Sequence, residues 1–285
     1  MEKIRLRRHE SFPLREGWIE KGIQSISKNG ALTFSKDNGV KLLGIGANMV
    51  KSLKYWMIAS NIIDESLKVN LTEFGEALLK NDPYMEKNIS WWLLHYFLVY
   101  SFEQSPVLYY IYNKYNGNHI DKDNLKQEIC EYFERKEYEY NPKLVNEDVN
   151  MYLRLYFNDN KSLNPEDNLS SPLAKLNLLD KNINNDGYIK KSANLDNLNY
   201  LVVYYTLQNL YQDNFEITDA YIREGSPCKI FNLDKGVFNQ FIVQLKNSKL
   251  ITVNKTAGLN SVYLNKHLTI QDIYNLYEEV DENAI

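Results

Sequence analysis

Only two cysteines, Cys130 and Cys228, occur in 285 residues, far apart and in no metal-ligand spacing. Their scarcity excludes a disulfide framework and fits a reducing compartment, with both thiols expected to be buried and inert. No apolar run approaches the roughly 20 residues needed to cross a bilayer, and the polar, Arg-rich start lacks the apolar core of a secretory signal. The expectation is a cytoplasmic protein with no membrane partner. Histidine is also sparse. His9, His95, His119 and His267 are scattered, and no close His/Asp/Glu spacing resembles a metal cluster. Phosphate-loop (GxxxxGKS/T), HExxH, GxSxG and CxxC patterns are all missing. Gly44-Ile45-Gly46 opens like a dinucleotide fingerprint, but Met49 stands where a third glycine would allow close helix packing. No catalytic residue, metal or cofactor is therefore predicted. Carboxylates assembled only by folding leave a cryptic metal-dependent nuclease open as an alternative.

Hydrophobic content of 44% and charged content of 25% describe a globular protein with length for two or three domains. The net charge of −4 argues against nucleic acid until its distribution is read. Residues 1–60 carry +6, and residues 235–270 hold five lysines and no acid, which leaves −15 for everything else. Two basic modules flanking an acidic middle could lie on a phosphate backbone while the rest turns away.

The stretch from Ser35 to Gly75 reads as a short helix, a glycine turn, a second helix from about Ala47 to Ser60, and a hairpin closing on Leu71–Gly75. That order is a helix-turn-helix with a β wing. On the second helix Met49, Val50, Leu53, Trp56 and Met57 fall on one arc, expected to face the core. Asn48, Lys51 and Tyr55 lie opposite, with Ser52 and Lys54 on the flanks, a set able to meet phosphates and base edges. An amphipathic helix with a merely solvated polar face has the same pattern. Before it, Arg5, Arg7, Arg8 and His9 form either a phosphate-touching arm or a strand pairing with the wing, and Trp18, Gly22, Ile23 and Ile26 mark a helix over 14–27.

Beyond Pro83, residues 89–102 are almost wholly apolar and aromatic and read as a buried helix, with His95 hydrogen-bonded inside it. Tyrosine-rich helices follow over 106–115, 121–135 and 146–157, where acidity favours core packing over base stacking. Asn182, Asn184, Asp186 and Gly187 imitate a calcium loop, yet Ala193 replaces its bidentate glutamate, so a turn is expected. A helix over 195–211 precedes a second winged-looking module. There Asp234 caps a helix with Val237, Phe238, Phe241, Ile242 and Leu245 inward, and 250–253 pairs with 261–264.

The segments His9–Trp18, Leu43–Trp56, Asn81–Glu86, Ser171–Leu179 and Ser226–Phe231 resemble signatures of an uncharacterised prokaryotic family, domain of unknown function 4007, over nearly the whole chain. Genes of that family tend to sit in phage-defence neighbourhoods, often beside sulfurtransferases, as in DNA phosphorothioation systems. The resemblance implies a partner in DNA modification or defence and supplies no catalytic residue.

The reading that results is a mainly α protein with winged helix-turn-helix modules in 1–82 and 216–285 around an acidic, aromatic helical domain, 83–215. Its expected function is a non-catalytic component that binds double-stranded DNA. Asn48, Lys51, Ser52, Lys54 and Tyr55 would enter or border a groove, Arg5, Arg7 and Arg8 would hold backbone, and Lys246, Lys249 and Lys255 would add a second phosphate contact. A protein-interaction adaptor, docking a sulfurtransferase or nuclease of the system through the acidic middle, is the other reading.

Overall fold

In the computed structural model, which describes residues 2–157, 171–182, 187–256 and 259–282, side-chain acceptors set where many helices begin. Thr72 Oγ1 accepts the Gly75 N–H, Asp121 that of Asn124, Asn141 that of Lys143, Asn199 that of Leu201 and Asp234 that of Val237. Each bond satisfies a donor that the first helical turn cannot pair internally. The chain is mainly helical with two small antiparallel sheets. It divides into two compact units, residues 1–111 with 115–191 and residues 112–114 with 192–285.

The first unit opens with an extended segment that pairs once, Lys3 beside Glu139, and not with a wing. Helices α1 (Trp18–Asn29), α2 (Gly39–Leu43), α3 (Ala47–Ala59) and α4 (Glu73–Asn81) follow. The hairpin expected after α3 reduces to one bridge, Ile63 to Leu71, because Thr72 caps α4 at once and leaves no chain to extend a ladder. Gly75 sits under the returning strand: a Cβ there would lie 2.1 Å from the Ile62 carbonyl oxygen.

Helix α5 (Asn88–Tyr100) is apolar on most sides and buried along most of its length. Trp92, Leu93, Leu94, Leu98 and Val99 have no exposed surface, each contributing about 1.5–3 kcal/mol by burial. His95 is also fully buried and lies 2.7 Å from the Tyr156 hydroxyl, the structural role its sequence context predicts. Helix α6 (Pro106–Tyr109) winds on as a π-helical turn through Lys114. α7 (Lys122–Arg135) and α8 (Pro142–Tyr156) pack on each other, and α8 starts four residues before its expected position because Asn141 and Pro142 form a cap and first turn. A three-stranded sheet, β1 (His119–Ile120), β2 (Leu179–Lys181) and β3 (Tyr188–Lys190) in the order β1-β3-β2, has no counterpart in the sequence reading. Asn184 and Asp186 of the calcium-like stretch lie outside the described residues.

In the second unit α9 (Tyr200–Tyr211) begins later than periodicity suggests, since Asn194 accepts the N–H groups of Asp196 and Asn197 in a preceding turn. Then come β4 (Asn214–Glu216), α10 (Ile217–Ala220), α11 (Pro227–Ile230), α12 (Lys235–Asn247), β5 (Ile251–Thr256), β6 (Leu259–Leu264) and α13 (Ile270–Glu282). The hairpin β5–β6 is as expected, and β4 joins its β6 edge to give the order β4-β6-β5. Phe238, Phe241, Ile242 and Leu245 of α12 are buried, as their spacing requires.

Candidate nucleic-acid interface

Helix α2 ends at Gly44, whose left-handed backbone (φ 66°) lets its N–H return to the Val40 carbonyl, and Gly46 then starts α3 without a side-chain cap. The first N–H groups of a thirteen-residue helix thus open onto an exposed turn, a polarity that suits anions. Beside them Asn48 and Lys51 are exposed and joined, Lys51 Nζ donating to Asn48 Oδ1 at 3.3 Å. Lys54, one turn on, is half-buried with its ammonium 6.0 Å from the centre of the Phe34 ring. Lys36 and Lys41 are exposed on the preceding segment. Among the described residues none of these four lysines has an ion-pair partner.

Ser52 and Tyr55 are not part of that face. The N-terminal segment crosses α3 here: Ser52, with no exposed surface, donates to the Phe12 carbonyl at 3.2 Å, which also accepts Trp56 Nε1 at 3.0 Å. Tyr55 is 9% exposed, its hydroxyl donates to the Gln104 carbonyl at 3.2 Å, and Arg8 covers its ring at 5.2 Å. Burial pushes its phenol well above the ordinary range, and the nearby Asp148 charge adds to the effect. Helical spacing places Tyr55 opposite the core arc, but a second layer of chain covers that side.

The arginines are likewise committed within the protein. Arg5 and Arg8 both reach Glu65 Oε1 at 2.7 Å, Arg8 also binds Gln104, and Arg7 pairs with Glu147. Partial burial pushes the Glu65 carboxyl up, but the Gln104 hydrogen bond and the Arg8 and Arg5 charges outweigh it and hold the group below its usual range. His9 stacks on Trp56 (6.0 Å between ring centres, 10° between planes) and faces Asp148.

In the second unit Lys246 and Lys249 are exposed at the C-terminal end of α12 and have no ion-pair partner among the described residues, whereas Asp234 occupies the helix N-terminus. Lys255 lies on β5, and its side chain is outside the described residues. A groove of about 370 Å³ runs between α12 and the hairpin, lined by Tyr221, Asn239, Val243, Lys246, Val253 and Asn260. The sequence places Asn239 and Lys246 outward, but Asn260 reaches the groove only through strand pairing and could not be found from helix periodicity.

By fold and surface this is a mainly helical protein of two units with unpaired cations at exposed helix ends, and no helix among the described residues is long and apolar enough to cross a membrane. It belongs to the family described as "Protein of unknown function (DUF4007)", which matches residues 6–277. Among solved structures it is similar to the magnesium ion-bound SspB crystal structure, with 21% identity over 98% of this chain and 87% of that one and a TM-score of 0.82. A second SspB crystal structure matches with 21% identity, the same coverage and a TM-score of 0.81. At that identity the likeness concerns the fold alone. No curated protein matches the chain. Among the described residues no three His, Cys, Asp or Glu side chains come together as a metal-binding cluster.

Proposed function

We propose that the chain is a non-catalytic DNA-binding component of a prokaryotic phage-defence or DNA-modification system linked to phosphorothioation. One observation carries the DNA-binding part. Lys36 and Lys41, exposed on the segment leading into α3, and Lys51, exposed on α3 itself, have no ion-pair partner among the described residues, while Arg5, Arg7 and Arg8 are paired internally. Cations held without acidic partners leave their charge available to a polyanion, and binding there releases condensed counterions. Asn48 adds an amide at the position from which helix-turn-helix proteins reach base edges.

Two further features support the reading, a helix-turn-helix in the first unit, with only the Ile63–Leu71 bridge where a wing would stand, and a winged helix in the second. α2, the glycine turn and α3 have the helix-turn-helix order, and β4, α10, α11, α12 and the β5–β6 hairpin follow one another as in a winged helix, with the first strand on the hairpin's second. The defence setting rests on the family resemblance, which also favours a sulfurtransferase or another defence-system protein as partner. The deciding experiment is a gel-shift series with modified and unmodified duplex from low to physiological salt. Retarded complexes whose affinity falls steeply with salt support the proposal, and no complex at the lowest salt refutes it.

A further inference from the structure

Three turns distant in sequence close around a groove of about 600 Å³ on the first unit, lined by Glu16, Glu20, Tyr84, Glu86, Trp91 and Lys175 among others. All three belong to or adjoin segments on which the family resemblance rests, and the DNA-facing strip uses none of them.

The rim is held by hydrogen bonds. Buried Asp82 accepts the N–H groups of Glu86 (2.8 Å) and Lys87 (3.0 Å) and the Ser90 hydroxyl (2.5 Å), fixing the turn into α5. Within that turn Met85 takes a left-handed backbone (φ 55°), and its carbonyl accepts Trp91 Nε1 at 3.0 Å, which orients the indole. The same turn leaves Tyr84 59% exposed, a large aromatic facing water beside the groove. Lys175 is paired with Glu16 at 2.7 Å, whereas Glu20 and Glu86 have no ion-pair partner among the described residues.

We propose that this groove docks an arginine-bearing segment of a partner protein, the guanidinium lying against Tyr84 and Trp91 and pairing with Glu20 and Glu86. Two unpaired carboxylates favour a cation, and two aromatic side chains in the lining, exposed Tyr84 and half-buried Trp91, favour one that is flat and weakly hydrated. Guanidinium meets both demands, because it forks onto carboxylates and stacks on rings, whereas lysine's compact ammonium does only the first well. The negative lining repels nucleic acid, so the groove and the lysine strip select opposite kinds of partner. The inference stands whether or not the strip binds DNA.

The test is calorimetric titration of the full chain with the blocked peptide acetyl-Gly-Arg-Arg-Gly-amide, alongside tryptophan fluorescence. Trp18, Trp56 and Trp92 are buried, so a change in emission reports Trp91. The peptide is expected to bind, its citrulline counterpart not to bind, and Glu20→Gln with Glu86→Gln to weaken binding at least about tenfold. Tyr84→Ala should weaken it comparably, and the exposed control Glu131→Gln on α7 should leave it unchanged. Trp91→Phe should abolish the fluorescence response while heat is still released. Absence of peptide binding to the unaltered chain, equal binding by the Gln/Gln variant, or binding of spermine in place of the peptide would overturn the proposal.

Discussion

His9 Nε2 lies 2.7 Å from Asp148 Oδ1 in a setting where both side chains are almost shielded from water. His9 Nδ1 accepts the Ser11 N–H at 3.1 Å, so the ring hydrogen sits on Nε2 and is donated to the carboxylate. The Arg7 N–H reaches the same carboxylate at 3.1 Å. This contact ties the N-terminal segment to α8, and the segment in turn covers the Ser52 and Tyr55 side of α3. His9→Ala should therefore cost about 2–4 kcal/mol, because it leaves a buried carboxylate short of a donor and empties a stacked position against Trp56. Urea unfolding should show a lower midpoint with unchanged slope. A destabilisation below about 0.5 kcal/mol would mean the pairing is dispensable.

Two carboxylates should respond to acid in opposite directions. Burial raises the Asp148 pKa despite the His9 hydrogen bond, so its contribution is fully present below the unfolded carboxyl value and is lost as pH rises through the folded one. Glu65 is lowered, so its contribution is present above the unfolded value, about 4.3, and is lost as pH falls through the folded one. Stability curves from pH 7 to 3 should accordingly lose part of their acid-side decline in Glu65→Gln and steepen in Asp148→Asn. Identical curves for the two variants would contradict these assignments.

Gly75→Ala tests the return after α3. The added methyl would meet the Ile62 carbonyl oxygen, which is already held by the Thr72 N–H at 3.1 Å and cannot withdraw freely. A destabilisation of about 2–4 kcal/mol in denaturant titration is expected. At Gly44 the space is open and only the backbone angle is strained, so Gly44→Ala should cost about 1–2 kcal/mol.

Should DNA bind as proposed, the two sets of cations should behave differently. Lys51→Gln with Lys54→Gln should flatten the plot of log affinity against log salt by roughly 1.8, about 0.9 for each phosphate no longer neutralised. Arg5→Gln with Arg7→Gln should leave that slope nearly unchanged, since both guanidinium groups are paired internally. Asn48→Ala should alter preference among sequences more than overall affinity. An unchanged slope in the lysine pair would remove α3 from the interface.

Helix periodicity located α3 to within one residue, as well as the buried α5 and the inward face of α12, because each has a long apolar arc that only one packing satisfies. Periodicity could not show that the opposite side of α3 is also covered. Tyr55 and Ser52 are polar-tipped residues that satisfy their hydroxyls on the Gln104 and Phe12 carbonyls, partners 49 and 40 positions away. The pairing of the arginines was hidden for a related reason: their charge is visible in the sequence, but Glu65, which pairs with two of them, is not visibly near. β4 and the sheet of the first unit were illegible because strands of two or three residues leave no alternation to read.

The open edge of α3 is only one row of side chains wide. Ala47, Asn48 and Lys51 face outward, while Val50, Ser52, Leu53, Tyr55, Trp56 and Met57 are locked beneath neighbouring chain. Substitution along that exposed row should stay within about 0.5 kcal/mol of neutral. The outward side chains of this helix could therefore be rewritten freely, by drift or in the laboratory, with little toll on folding.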